Sequence, residues 1–377
     1  MSFSILQPGR ILFGRGTAAQ AAGLVAGFGA RVLLVHGAAA ARADWLAEGL
    51  AGQGAVVTRL SCGAEPTLPM LLSALALGRQ AAPDVVVGLG GGAVLDLAKA
   101  LAALIPASGD PMDHLEVVGK GLPLTADPLP FVALPTTAGT GAEVTKNAVI
   151  GLPDHGRKVS LRDDRMIARV AIVDPALTDH CPRGVTLASG LDALTQVIEP
   201  YVSCKATPYT DAITLPAIAP GLSALMRLME GEDAAARDAL AWTSLVGGLA
   251  LANAGLGAVH GFAGVIGGTT GAAHGAICGA LLGPVLAMNR ARTAGAALER
   301  LERVCAILAH GLGVSTDDAP QALTAWARAA GLPRLRDLGL DPATHGAVAE
   351  ASQITSSMKG NPVALSVVDL TMVLDQA

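Results

Sequence analysis

The chain has 377 residues, of which 51% are hydrophobic, 15% charged and only 3% aromatic, with a formal net charge of −5. That length accommodates two domains, and so apolar a composition excludes a disordered chain. The mild acidity contains no basic run and the few aromatics form no stacking platform, so nucleic acid is excluded as a partner.

The N-terminus, MSFSILQPGRILFGRG, has no basic segment followed by an apolar core, which makes a cytoplasmic chain the expectation. Phe3–Gln7 and Arg10–Phe13 flank Pro8-Gly9 and read as a small hairpin. Short apolar runs then alternate with helical patterns. Arg31–His36, Ala55–Leu60, Asp84–Leu89 and Phe131–Leu134 predict buried strands, and Ala18–Phe28, Asp44–Ala51, Leu68–Gln80 and Ala93–Leu104 predict helices. Such alternation implies an α/β unit with a parallel sheet covered on both faces. Thr145–Ile150, Lys158–Leu161 and Val170–Val173 suggest further short strands.

After Asp174-Pro175 the strand signals stop. Gly184–Val202, Asp211–Met229, Asp233–Ala254, His274–Asn289, Ala296–His310 and Pro320–Ala330 all fit helices, so the second half is predicted to be all-α. The boundary falls near Asp179–Pro182, dividing residues 1–180 from 181–377, with a ligand expected in the cleft between the halves. From Ala239 to Asn289 no Asp, Glu, Lys or Arg occurs. Repeated glycines and Gly267-Gly268-Thr269-Thr270-Gly271 would expose backbone to lipid there, so the stretch reads as buried core helices rather than a membrane hairpin.

Two segments carry a phosphate-binding signal. Gly90-Gly91-Gly92-Ala93…Asp96 follows a strand and opens a helix, where glycines allow close approach and the helix terminus offers unpaired N–H groups. Pro135-Thr136-Thr137-Ala138-Gly139-Thr140-Gly141 also follows a strand and supplies hydroxyls. The glycine triplet at such a junction favours a nucleotide over an ordinary strand-to-helix turn but is weak evidence alone, and the alternative for the second segment is a polar loop whose threonines cap the following turn. Two such segments at one sheet's C-terminal edge match the place where open α/β sheets bind ligands.

A second constellation suits a divalent metal. Asp192 and Gln196 lie four residues apart on a predicted helix and share a face, while His260 and His274 follow in uncharged surroundings. A carboxylate and two imidazoles form a reasonable ligand set, with the Gln196 amide a weaker oxygen donor; hydrogen-bonded core residues are the alternative. The five cysteines, Cys62, Cys181, Cys204, Cys278 and Cys305, are scattered without a Cys-x-x-Cys pair, which argues against a disulfide framework and a thiolate zinc site.

Together, Gly90–Ala93 with Asp96-Leu97-Ala98-Lys99, Pro135–Glu143, Gly190-Leu191-Asp192-Ala193-Leu194 and His260…His274-Gly275 resemble the iron-containing alcohol dehydrogenase family, with likeness from Phe13-Gly14 to Asn361-Pro362. The resemblance implies a Rossmann-like dinucleotide-binding domain, a helical metal-binding domain in a dehydroquinate synthase-like architecture, and a homodimer. It implies hydride transfer between NAD or NADP and a small-molecule alcohol or carbonyl, assisted by iron or zinc. By position, Asp192, His260 and His274 match metal ligands. Gly90, Gly91, Gly92, Ala93, Asp96, Thr136, Thr137 and Thr140 match cofactor contacts, and Lys158 matches a lysine near the ribose. Maleylacetate reduction, a dehydroquinate synthase-type lyase and a non-catalytic nucleotide-binding protein are the alternatives.

Three positions depart from the family pattern. Gln196 stands where a third histidine is usual, and an amide binds a divalent metal less strongly. Gly264 stands where a histidine implicated in proton relay is frequent. The first strand of the alternating series ends in His36-Gly37 rather than an acidic residue, which removes repulsion against a 2′-phosphate and opens NADP use.

Overall fold

In a computed structural model, residues 2–377 are described. They form two compact units: Leu6–Thr137 with Gly141–Thr178, and Asp179–Ala377 with residues 2–5 and Ala138–Thr140.

The inner strands of the first unit are apolar runs buried on both faces, and its two edge strands are partly exposed. β1 (Arg10–Phe13), β2 (Arg31–His36), β3 (Val56–Ser61), β4 (Val85–Gly90), β5 (Phe131–Pro135) and β8 (Val170–Val173) form one parallel sheet in the order β1-β8-β5-β4-β2-β3. β6 (Asn147–Leu152) and β7 (Arg157–Arg162) pair antiparallel as a separate ribbon. Val85, Val86 and Val87 of β4 are fully buried, each contributing about 1.5–3 kcal/mol of transfer free energy. α1 (Ala21–Ala26), α2 (Asp44–Gly52), α3 (Leu68–Ala81), α4 (Gly92–Leu104) and the single turn α5 (Pro111–His114) complete the unit. The strand order reverses beside β2: β3 lies on one side of it, β4 and then β5 on the other. Parallel registers pair His36 with Leu89 and Gly90 with Pro135, so the C-terminal ends of three strands share one edge at that reversal.

Three expectations are corrected. Phe3–Gln7 forms no strand; β1 pairs parallel with β8, and Pro8-Gly9 ends the approach to the sheet instead of turning a hairpin. The Ala18–Phe28 helix splits into a 3-10 turn, Thr17–Gln20, and the short α1, because neither start has a side-chain cap and Gly23 and Gly27 lower the helix propensity of the remainder. The strand placed at Thr145 begins two residues later, since the Thr145 hydroxyl is engaged by Lys99 Nζ at 2.9 Å.

The second unit is helical: α6 (Arg183–Val202), α7 (Pro208–Glu230), α8 (Ala234–Ala254), α9 (Ala258–Thr270), α10 (His274–Arg292), α11 (Gly295–Leu312), α12 (Ala319–Ala329), α13 (His345–Gln353) and α14 (Val367–Gln376). Capping fixes several starts. Thr207 and Thr210 form a capping box on α7, Asp233 caps α8, and Ser366 with Asp369 caps α14. The uncharged stretch from 239 to 289 falls on α8, α9 and α10, and α8 and α9 bend by 98° at their junction. α9, α13 and α14 have no counterpart among the predicted helices. Glycines at 261, 264, 267 and 268 disguise α9, yet they allow tight packing: a Cβ on Gly261 would lie 2.9 Å from Met358 Cε.

Candidate active site

The sheet unit presents a backbone cradle. β4 runs into α4 through Gly91, which sits in extended geometry at the N-cap and provides no side-chain cap, so the first-turn N–H groups have no side-chain acceptor. Gly90 must lack a side chain because a Cβ there would meet Val94 Cγ2 at 2.5 Å. The two loops singled out in the sequence lie side by side: Thr136 N donates to Gly90 O at 3.0 Å, and Thr137 Oγ1 lies 3.2 Å from where a Gly91 Cβ would stand. Gly91, Gly92, Ala93, Thr136 and Thr137 stay partly exposed. These features fit an anion such as a pyrophosphate, held by N–H groups and the helix dipole.

Other sequence candidates have contacts within the chain. Asp96 Oδ2 accepts from Val149 N at 3.1 Å and ties α4 to β6. Lys158 pairs with Glu65 Oε2 at 2.5 Å. Thr140 belongs to the helical unit, not to the sheet unit that carries Thr136 and Thr137. Beneath the cradle lies Lys99, a residue to which sequence reading gave no role. Its Nζ donates to Ala142 O, Thr145 Oγ1 and Asn147 O at 2.7–2.9 Å, fixing the chain after the threonine loop. Burial pushes Lys99 down to about 8 and the buried Glu143 up to about 7.

The helical unit brings a cluster together from α6, α9 and α10. Asp192 Oδ1 lies 3.3 Å from His260 Nε2 and 3.9 Å from His274 Nε2. Cys278, one helical turn beyond His274, places Sγ 3.6 Å from His274 Nε2 and 3.9 Å from His260 Nε2. These four donor atoms all lie within 4.8 Å of one another. Asp192 is 1% exposed, and its Oδ1 has no hydrogen-bond partner, as is true of Gln196 Oε1. A buried carboxylate oxygen aimed at two imidazole nitrogens, with no donor of its own, fits a divalent cation. His274 is the open side of the cluster, with 32% of its side chain exposed.

The surroundings hold these ligands in place. Glu199, one turn beyond Gln196, uses both carboxylate oxygens: Oε1 accepts from Val259 N at 2.7 Å, and Oε2 from His260 Nδ1 at 2.6 Å. That bond turns His260 Nε2 toward Asp192. Gln196 Nε2 donates to Gly139 O at 3.3 Å, anchoring the segment that joins this unit. Burial pushes Asp192 up, but the charge on His274 and contacts from His260 and Gln196 outweigh it and hold the carboxyl below its usual range. Burial opposes the imidazolium of His274, yet the Cys278 sulfur and Asp192 raise it to about 9; His260 is raised likewise by Cys278 and Glu199. Cys278 and Glu199 were missed in the sequence. The usable signals were the His274-x-x-x-Cys278 spacing and the run Asp192…Gln196…Glu199, which stacks three polar side chains on one face within two turns of a largely apolar helix.

A parallel sheet with a glycine elbow at its reversal point suits a nucleotide, and a helical unit that holds a carboxylate–imidazole cluster suits a divalent cation, the two parts of a metal-assisted nucleotide-dependent enzyme. Residues 8–175 match the family model described as iron-containing alcohol dehydrogenase, and residues 186–377 match that of the Fe-containing alcohol dehydrogenase family, C-terminal. The chain is 35% identical over 319 residues to the probable alcohol dehydrogenase EutG of Salmonella typhimurium, covering 84% of this chain and 79% of that one. It is 32% identical to the NAD-dependent methanol dehydrogenase of Bacillus methanolicus, over 78% of this chain and 77% of that one. A solved 1,3-propanediol oxidoreductase superposes with a TM-score of 0.89 at 27% identity, covering the whole of both chains. The chain belongs to the iron-containing alcohol dehydrogenase family. It is an oxidoreductase.

Proposed function

We propose that the enzyme moves a hydride between a nicotinamide dinucleotide and a small primary alcohol or its aldehyde, with a divalent cation held by Asp192, His260 and His274. The observation that carries this reading is the partnerless Asp192 Oδ1, buried within 3.3 and 3.9 Å of two imidazole nitrogens. Bound, the dinucleotide supplies or accepts the hydride and the cation polarises the substrate oxygen. The chain's own residues prepare that arrangement. The α4 N-terminus and Thr136–Thr137 bind the pyrophosphate, and Glu199 orients the His260 ring. Gln196 holds Gly139, and His274 marks the side from which a small molecule reaches the cluster.

His36, which closes β2, places no carboxylate at the strand end, and its Nδ1 bonds to Gly37 O at 2.7 Å. Nothing there repels a 2′-phosphate, so the reading takes NAD(H) and extends to NADP(H). None of the five cysteines is in a disulfide, which suits a reducing cytoplasm, and a homodimer is the assembly we assign. The test is a panel of short alcohols and aldehydes with either coenzyme, following reduced nicotinamide, before and after chelation and metal return. Turnover that chelation abolishes and a divalent metal restores is expected. Absence of nicotinamide turnover across the panel would refute the reading.

A further inference from the structure

We infer that Cys278 is a metal ligand, completing with Asp192, His260 and His274 a four-donor set in which a thiolate takes the place of the Gln196 amide and favours zinc over iron. The inference rests on the reading that Asp192 and the two histidines hold a divalent cation. Three observations carry it.

Geometry is the first. Zinc bonds of about 2.0–2.3 Å to oxygen, nitrogen and sulfur give tetrahedral edges about 1.6 times longer, or roughly 3.3–3.7 Å. The edges from Asp192 Oδ1 are 3.3 Å to His260 Nε2 and 3.9 Å to His274 Nε2, and those from Cys278 Sγ are 3.9 Å and 3.6 Å to the same two nitrogens. Four of the six edges lie within a few tenths of an ångström of the spacing that one small cation imposes, and the other two are no longer than 4.8 Å.

Charge balance is the second. Asp192 and Cys278 are 1% and 0% exposed, so net charge left at this place is costly. A carboxylate and a thiolate cancel a divalent cation at the donor atoms themselves, while a carboxylate and an amide leave one positive charge there, to be met only by Glu199 from behind the His260 ring. Binding releases the thiol proton to solvent.

The third is what the alternatives do. Gln196 commits its Nε2 to Gly139 O, the work of a positioning residue. Cys62 shows how a merely buried cysteine behaves: its thiol donates to Ala64 O and Ala93 O, and burial pushes it up to about 11. Cys278 faces two imidazole nitrogens instead. Thiolate is a soft donor, and replacing a hard amide oxygen with it shifts preference from iron toward zinc.

Full-length protein, stripped by chelation and titrated with cobalt(II), should develop a sulfur-to-cobalt charge-transfer band in the near ultraviolet at one equivalent. Cys278→Ser should abolish the band and weaken cobalt binding by more than about tenfold. Gln196→Ala should retain the band. In anaerobic competition between equal zinc and iron(II), read by elemental analysis, Cys278→Ser should lower the zinc-to-iron ratio. Cobalt binding to the wild type without the band overturns the inference and leaves the aspartate–histidine site standing; this needs no variant to fold. Equal affinity and metal ratio in Cys278→Ser overturns it too, and failure of cobalt to bind at all overturns both readings.

Discussion

The two units build their binding surfaces from opposite materials. In the sheet unit the cradle is backbone: Gly90 and Gly91 matter for the atoms they lack, and the donors are N–H groups at the start of α4. In the helical unit the cluster is all side chain, converging from residues 192, 260, 274 and 278 on three helices. A site made of absent atoms is damaged by adding matter. A site made of present atoms is damaged by removing it.

The largest break should come from removal. His274→Ala deletes the most exposed imidazole of the cluster while its position at the first residue of α10 tolerates alanine. Losing polarisation of the substrate oxygen is worth several kcal/mol, so kcat should fall by roughly 10³-fold while the Kd for reduced nicotinamide stays within about threefold. Steady-state kinetics and a fluorescence titration on one preparation check both halves. A comparable loss in coenzyme affinity would show that the two sites are not separable in this way.

A subtler removal sharpens the contrast. Glu199→Gln keeps the shape but takes the negative charge from the acceptor of His260 Nδ1. Metal affinity should drop about 10–100-fold with the fold intact, measured by competition with a chromogenic chelator. The converse applies to the cradle. Gly90→Ala sets a methyl group against Val94 at 2.5 Å and shifts the start of α4. Overpacking of this kind costs about 1–3 kcal/mol, and dinucleotide Kd should rise about tenfold while metal content is unchanged. Elemental analysis alongside coenzyme titration decides it.

Legibility in the sequence divides along the same line. The cradle was readable because its parts are contiguous: an all-apolar strand, a glycine triplet and a helix occur within Val85–Leu104. Asp192, His260 and His274 were readable by their residue types and spacing, but Cys278 and Glu199 were not. A thiolate site usually announces itself in sequence as a pair of cysteines; the one signal for a single thiol here, its place one turn beyond His274, gains meaning only when folding sets it against two imidazoles. β1 was misread for a related reason. Its partner, Val170–Val173, lies far along the chain, whereas Pro8-Gly9 offered a local turn. Neither hydrophobic period nor turn residues report a parallel pairing at that distance. α9 escaped because its four glycines lower helix propensity, and the packing that compensates is tertiary.

The smallest expected effect concerns stability and separates the units by pH. Lys99 and Glu143 are both buried in the sheet unit, the one pushed down to about 8 and the other up to about 7. A carboxyl whose folded value is raised stabilises fully below its unfolded value near 4.5, and that contribution is lost as pH climbs to about 7. An amine whose folded value is lowered stabilises above its unfolded value near 10.5, and that contribution is lost as pH falls to about 8. Both losses are complete between about pH 7 and 8, where the folded protein must carry the two charges, so its stability should pass through a shallow minimum there. Glu143→Gln should flatten the acid side of that trough and leave the alkaline side. Hydrogen exchange, corrected for intrinsic rates, should place the weakening in β5, α4 and β6 and leave the protection of α6, α8 and α10 unchanged. A trough that survives Glu143→Gln, or one spread evenly over the helices, would mean that the balance of charge in this protein is not local to the sheet.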